Sequence, residues 1–160
     1  MSTPTPVTAL ARRWRLEVDM ATSGATTPDW QLHPAITDFS WEAPPNLEDS
    51  STYDDEGWDG NTKTGQGWTV TATFNRKKSA DSKAYNAVHE RVRATAFGWG
   101  ADSEVKIRWM DRDGGPEAYE GTALVEWKPS GGPKNNLEQV EITFTGNGPL
   151  TQIANPLATA

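Results

Sequence analysis

Alternating hydrophobic and polar residues predict a chain made mainly of β-strands. In residues 12–20, the hydrophobic side chains of Trp14, Leu16, Val18 and Met20 alternate with charged ones. This period of two residues is typical of a strand with one buried face. Further strands with the same period, separated by Gly, Pro, Asn or Asp, are predicted at residues 36–42, 67–76, 104–110, 117–128 and 137–145. About six strands therefore make up most of the predicted ordered structure.

One segment has helical spacing instead. Its apolar stripe, with spacings of three and four residues, consists of Tyr85, Val88, Val92 and Ala96. Asp81 or Ser82 is suited to cap the first turn, and the glycines after Phe97 end the helix. One helix among about six strands predicts a mainly β fold, an antiparallel β-sandwich or barrel flanked by a helix on one side.

Residues 42–67 have neither period, so neither a strand nor an amphipathic helix is predicted there. A structureless loop of this length in a compact domain is normally functional or disordered. Tyr53 and Trp58 argue against disorder, because disordered segments contain few aromatic residues. We interpret the segment as a long loop arm that becomes ordered on a partner.

The length and composition of the chain exclude several classes of protein. A length of 160 residues fits a single domain, here residues 12–146, between an N-terminal arm (1–11) and a C-terminal tail (147–160). There is no cysteine, no apolar run of the ~20 residues that span a bilayer, and no signal-peptide pattern. We therefore expect synthesis in the cytoplasm and no membrane partner. The net charge of −7 argues against a surface that grips nucleic acid.

Charge is distributed unevenly along the chain. Residues 42–66 hold seven acidic residues and one lysine, whereas residues 76–93 hold six basic residues and two acidic ones. Such asymmetry suits a head-to-tail contact, in which one patch meets a different patch on the next copy. The residues predicted at this contact are Tyr53, Asp54, Asp55, Glu56, Trp58 and Asp59 on the arm, and Arg76, Lys77, Lys78, Arg91 and Arg93 on the basic surface.

Other chemistry for the acidic cluster is less well supported. Calcium binding is one alternative, but the spacing is not that of an EF-hand. Glycoside hydrolysis needs one buried carboxyl across a cleft, and these acids lie in a glycine-rich loop. No phosphate-binding P-loop is present. His33 and His89 are expected to be ordinary surface or edge residues. We therefore predict no enzymatic activity, no cofactor and no metal.

The eight tryptophans have two interpretations. Those on inferred inward faces, expected in the core, are Trp14, Trp41, Trp68, Trp109 and Trp127. Trp30, Trp58 and Trp99 lie in loops or at element ends and are candidates for contacts between copies. Alternatively, a Trp-rich β-sandwich is typical of a carbohydrate-binding module. That alternative predicts several tryptophans exposed along one flat sheet face.

The order of these elements resembles the major tail protein, or tail tube protein, of long-tailed bacteriophages with non-contractile tails. The resemblance covers residues ~12–146 and is carried by three short features. They are the segment from Tyr53 to Trp58, the step Tyr119-Glu120-Gly121 in a late strand, and the closing Phe144-Thr145-Gly146. The resemblance implies hexameric rings whose strands join into an inner barrel, and a long loop that reaches the adjacent ring. It also implies a structural protein without enzymatic activity.

The resemblance also implies the partners and the location of the protein. The rings stack into a tube that holds a tape-measure protein and is later crossed by DNA, which passes without specific binding. Tail terminator and tail-tip proteins would contact the tube ends. The protein would be made in the cytoplasm of a bacterial host and located in the virion tail. A mainly acidic channel lining would repel DNA, but the sequence leaves open which charges face the channel.

Overall fold

The computed structural model describes residues 4–22, 25–76, 78–81 and 83–158, which form ten β-strands and one α-helix. The strands are β1 (Trp14–Asp19), β2 (Trp30–Leu32), β3 (Ile36–Glu42), β4 (Pro45–Asp49), β5 (Asn61–Gln66), β6 (Thr69–Asn75), β7 (Glu104–Asp111), β8 (Ala118–Ser130), β9 (Gln139–Gly146) and β10 (Thr151–Gln152). The helix α1 is Ala87–Ala96, and 3-10 turns cover Ala11–Arg13, Tyr53–Asp55 and Gly100–Ser103.

Seven strands form one antiparallel sheet in the order β2-β1-β7-β8-β9-β6-β3, and β10 pairs with β8. The long strand β8 belongs to two layers, because residues 118–124 pair with β7 and residues 123–130 pair with β9. The sheet folds over on itself: the rings of Trp14 in β1 and Phe39 in β3 lie 6.1 Å apart, although these strands are far apart in the strand order. The prediction of a mainly β, antiparallel sandwich with one helix is confirmed.

The space between the layers holds the predicted core. Trp68, Phe74, Trp109 and Phe144 are buried, and Trp14, Phe39 and Val125 are partly buried against them. The five tryptophans expected in the core all belong to this cluster. The alternation of the strands was sufficient for this prediction, because each strand of the sandwich buries one face only.

The packing of Trp68 explains two of the three short sequence features that carry the resemblance to tail tube proteins. A Cβ atom on Gly121 would lie 2.5 Å from the Trp68 ring, and one on Gly146 would lie 2.4 Å from it. The glycines that close Tyr119-Glu120-Gly121 and Phe144-Thr145-Gly146 therefore make room for the same indole. The indole Nε1 donates to the Gly148 carbonyl at 3.1 Å. Both glycines serve close packing of the two layers at this point.

The helix is shorter than the sequence indicates. It begins at Ala87, and the Asn86 side chain caps it by accepting from the Val88 amide at 2.9 Å. The start predicted at Asp81 or Ser82 is wrong, and Ser82 itself lies outside the described residues. Before the helix, Lys83 has a φ of 58° and Lys78 bridges to Tyr85 in the antiparallel sense, so the chain turns instead of coiling. Tyr85 therefore precedes the helix and does not extend its stripe.

The other differences come from strands that bury no face. Strands β4, β5 and β10 were not predicted, whereas β2 corresponds to a short strand that the sequence suggests at residues 30–33, before Pro34. In residues 42–67, β4 and β5 pair with each other as a hairpin, so the prediction of an irregular loop is wrong there. Both strands are exposed along nearly their whole length. With neither face buried, no alternation marks them in the sequence.

The predicted location of the two histidines is also wrong. His33 and His89 are buried, with their ring centroids 4.7 Å apart and both rings against Phe74. His89 Nε2 lies 3.0 Å from the Pro34 carbonyl, to which it donates in the matching tautomer. Burial, followed by the nearby His89, lowers the pKa of His33 to about 3. The sequence does not show this pairing, because the two residues meet only when the β2–β3 connection packs on the helix.

We expect this burial to make stability depend on pH. The unfolded chain protonates His33 below a pKa of about 6.5, whereas the folded chain does so only near 3. Stability from this site is therefore complete above pH ~6.5 and is lost as the pH falls toward 3, by about 1.4 kcal/mol at pH 5.5. Denaturant unfolding at pH 7.5 and 5.5 measures the loss. His33→Gln should reduce the difference between the two pH values, and an unchanged difference would contradict the assignment.

Candidate inter-subunit surfaces

The arm is a β-hairpin that projects from the sandwich between β3 and β6. At its base, Gly67 donates its amide to the Pro44 carbonyl at 3.2 Å, and Gln66 Nε2 donates to the Ala43 carbonyl at 2.9 Å. Strands β4 and β5 then pair with each other and with no strand of the main sheet. Five residues of strand at about 3.3 Å each place the tip roughly 15 Å from the base.

Hydrogen bonds within the tip give it a defined shape. The tip loop is closed by the bond from the Ser50 amide to the Gly60 carbonyl at 2.9 Å. Inside it, Thr52 and Asp55 form a reciprocal capping box, with the Thr52 amide donating to Asp55 Oδ2 at 2.6 Å. The chain then reverses at Glu56, which has a left-handed φ of 52°. Asp55 is thus used inside the loop, which sequence reasoning missed, although Thr and Asp three residues apart are a capping signal.

The remaining predicted arm residues point outward. Tyr53 is fully exposed and Trp58 is 80% exposed. Asp54, Glu56 and Asp59 are exposed beside them. The structure therefore brings together two aromatic rings and three outward carboxylates on one preformed tip. Large exposed aromatic groups of this kind are typical of contact surfaces.

The predicted basic surface is largely engaged within the chain. Arg76 has a side chain only 8% exposed; it donates to Glu90 Oε1 at 2.6 Å and lies over the Tyr85 ring. Arg93 donates to Glu90 Oε2 at 2.6 Å. Hydrogen bonds from Arg93 and Arg76 lower the pKa of Glu90 against the effect of its partial burial.

The other members of the basic surface differ in their setting. Arg91 is half-buried, with Nη2 3.5 Å from the Ala21 carbonyl. Lys78 is exposed, and Lys77 lies outside the described residues. The structure therefore leaves less free positive charge at this surface than the count of basic residues indicates. Its contact with the arm remains a prediction.

The strands β3, β6, β9 and the second half of β8 present a face opposite the core, which we call the threonine face. Cross-strand pairing aligns its side chains in rows, one of which runs Glu126, Thr143, Thr71 and Ser40. The neighbouring rows contain Leu124, Thr145, Thr69 and Glu42, and Lys128, Glu141, Thr73 and Asp38. Four carboxylates and one ammonium group thus lie among five threonines, one serine and one leucine. The alternate threonines are visible in the sequence, but the strand order that aligns them is not.

The exposed tryptophans do not form a flat sugar-binding face. Trp58 lies on the arm and Trp99, which is 89% exposed, lies just after the helix. Trp30 covers the Arg108 guanidinium at 4.6 Å. The feature that the carbohydrate-binding alternative requires is therefore not seen.

Among the described residues, no three His, Asp or Glu side chains are grouped closely enough to hold a metal ion. No described helix has the length and apolarity needed to cross a membrane.

Comparison with known proteins places the fold. No protein-family model matches the chain, and no curated protein matches its sequence. The tail of an empty gene transfer agent particle, with C6 symmetry, gives a TM-score of 0.68 at 15% identity over 92% of this chain and 100% of the other. The SPP1 tail tube gives 0.66 at 12% identity over 91% and 79%. A sheath/tube terminator of the contractile injection system PVC gives 0.54 at 12% identity over 96% and 99%.

The chain therefore has the fold of tail tube proteins. The similarity extends over nine-tenths of its length and includes both layers of the sandwich. At these identities the similarity defines the fold alone.

The Glu90 contacts yield a stability test. Glu90→Ala would leave the largely buried Arg76 guanidinium without its carboxylate, so we expect a loss of about 2 kcal/mol in the free energy of unfolding. Glu126→Ala is the matched control, because Glu126 is exposed on the threonine face, and it should cost less than about 0.5 kcal/mol. Denaturant titration compares the two. Equal losses would mean that the ion pair does not hold the helix to the sandwich.

Proposed function

We propose that this protein is the tube-forming subunit of a phage-type tail, a structural virion protein without enzymatic activity. Its copies form hexameric rings, and the rings stack into a tube. The proposed partners are the protein itself, a tape-measure protein within the tube, and terminator and tail-tip proteins at its ends. DNA passes through without specific binding.

One observation carries this proposal: a preformed arm, with an aromatic tip that its own chain leaves exposed, stands on the fold of tail tube proteins. An isolated two-stranded hairpin is at best marginally stable in water. Contact with another copy would bury Tyr53 and Trp58 and stabilise the hairpin. The C6 symmetry of the gene transfer agent tail supports six copies in each ring.

Lateral contacts are proposed at the open sheet edges. Within the described residues, the outer edges of β2 and β3 and one edge of β8 beyond Leu124 pair with no other strand. Unpaired edges expose backbone donors and acceptors that favour pairing with a further strand. Side-by-side copies would join edges of this kind, so the sheet would continue around the ring.

We assign the channel lining to the threonine face. Its Glu and Asp side chains would repel the DNA backbone, which has about one charge per 1.7 Å of axis. Its threonines are short and uncharged, and its one cation, Lys128, lies opposite Glu141. Smooth passage would thus follow from the absence of attraction.

The arm is proposed as the element that links successive rings. Replacing Asn46–Lys63 by a short Gly-Ser linker should leave the sandwich folded, because β4 and β5 pair only with each other and a change in loop length costs about 0.6 kcal/mol per doubling. Tubes should be lost, whereas the thermal transition should remain. Electron microscopy and calorimetry measure the two results.

Single substitutions sharpen this test. Trp58→Ala should weaken tube formation, because a buried interface tryptophan is often worth ~2 kcal/mol or more. Leu137→Ala is the control, since Leu137 is also a largely exposed apolar residue but lies in the β8–β9 connection, outside the arm. If both variants assembled equally well, the arm would not be the stacking element.

The channel assignment predicts a change in DNA retention. Tubes with Glu126→Lys and Glu141→Lys should retain short duplex DNA protected from nuclease, and the retention should fall as salt rises. Tubes with Asp81→Lys and Asp102→Lys, which add the same charge outside the threonine face, should not protect it. If only the tubes with Asp81→Lys and Asp102→Lys protected the DNA, the threonine face would not line the channel.

A further inference from the structure

A groove of about 400 Å³, lined by both apolar and polar side chains, lies between β1 and β3, where the sheet folds over without closing. Its walls include Trp14 and Leu16 from β1, Ile36 and Phe39 from β3, and Leu32 from β2. The volume is in the range of pockets that take small organic groups, so it has room for an aromatic side chain.

Two arginines give the groove a positive rim. Arg12 and Arg112 both line it and both are exposed. Across the described residues, neither arginine forms an ion pair, whereas Arg13, Arg15, Arg76, Arg93 and Arg108 each do. The lining also includes the carboxylate of Asp38. The rim therefore has two guanidinium groups without an ion pair, beside the apolar side chains of the groove walls.

The arm tip has the complementary composition. Tyr53 and Trp58 would pack against the apolar side chains of the groove walls. Asp54, Glu56 and Asp59 would pair with the guanidinium groups of the rim. The chain's own tip does not fill the groove, since both aromatic rings are exposed. By contrast, the basic surface at residues 76–93 has two of its arginines already on Glu90.

We infer that the groove between β1 and β3 is the receptor for the arm tip of a second copy of this chain. The contact joins unlike patches, so each copy has both a tip to donate and a groove to receive one, and the contact can repeat from ring to ring as a stack requires. Arg12, Arg112 and the two tip aromatics are of the residue types that dominate interface energies. The inference rests on the proposed tube-forming function and names the receptor that this function needs.

Crosslinking tests the contact directly, because the native chain has no cysteine. One chain receives Asp59→Cys, which retains Tyr53 and Trp58 on the tip, and a second receives Thr37→Cys at the exposed part of the groove. A disulfide requires Cα atoms within about 7 Å, so it forms only if tip and groove meet. Mixing the two chains under assembly conditions should give the mixed dimer. In the control, Lys78→Cys replaces Thr37→Cys and samples the basic surface.

The outcomes separate the two proposals. Crosslinking to position 37 well above that to position 78 supports the groove. Assembled tubes that crosslink at position 78 and not at 37 would overturn the groove and leave the tube function standing. If neither tubes nor crosslinks formed at any concentration, both the groove contact and the tube-forming function would be overturned.

Charge reversal gives an independent readout. Arg12→Glu with Arg112→Glu should raise the concentration needed for assembly at least about tenfold. Lys78→Glu with Lys83→Glu, the matched control on the basic surface, should change it less than about twofold. Adding Asp54→Arg and Glu56→Arg to the first variant should restore assembly. A larger effect of the control pair, or no restoration in a folded variant, would count against the groove.

Discussion

The contact of Trp68 with Gly121 and Gly146 fixes how the two layers of the sandwich pack and where the arm leaves them. It brings β6, β8 and β9 to a common point, and no larger residue than glycine leaves space for the indole there. The same residue stands directly after the arm, and its carbonyl accepts from the Gly146 amide at 2.8 Å. The anchor of the core is thus also the anchor of the arm, so the hairpin leaves the sandwich from a fixed point.

This arrangement divides the molecule into a sandwich body that has a buried core of its own and an arm that has none. The body packs its core aromatic residues between two layers and pairs its buried Glu17 carboxylate with Arg108 and Arg15. The arm buries almost nothing, although its tip is shaped by its own hydrogen bonds. A preshaped tip loses less conformational freedom on binding than a disordered one, and this favours association.

The charged residues of the body, unlike those of the arm tip, are partly paired within the chain. Counting residues along the chain identifies an acidic arm and a basic segment, but a count does not reveal which charges are already paired. Glu90 engages two arginines of the basic segment, whereas the arginines at the groove come from the N-terminal turn and the β7–β8 turn. Their neighbourhood exists only because β1 and β7 pair, which places Trp14 opposite Asp111.

Local patterns in the sequence were enough to predict the six main strands, the presence of the helix, the core tryptophans and the exposed aromatics of the arm. It could do so because a strand or helix that buries one face repeats its hydrophobic residues at a fixed period. Where no face is buried, as in β4 and β5, no period exists, and the hairpin was found only in the structure. Tertiary structure likewise decided the burial of His33 against His89, the pairing of Arg76 with Glu90, the rows of the threonine face and the groove. Each of these joins residues from separate elements, and their meeting depends on strand order and on the folding-over of the sheet, which no local pattern encodes.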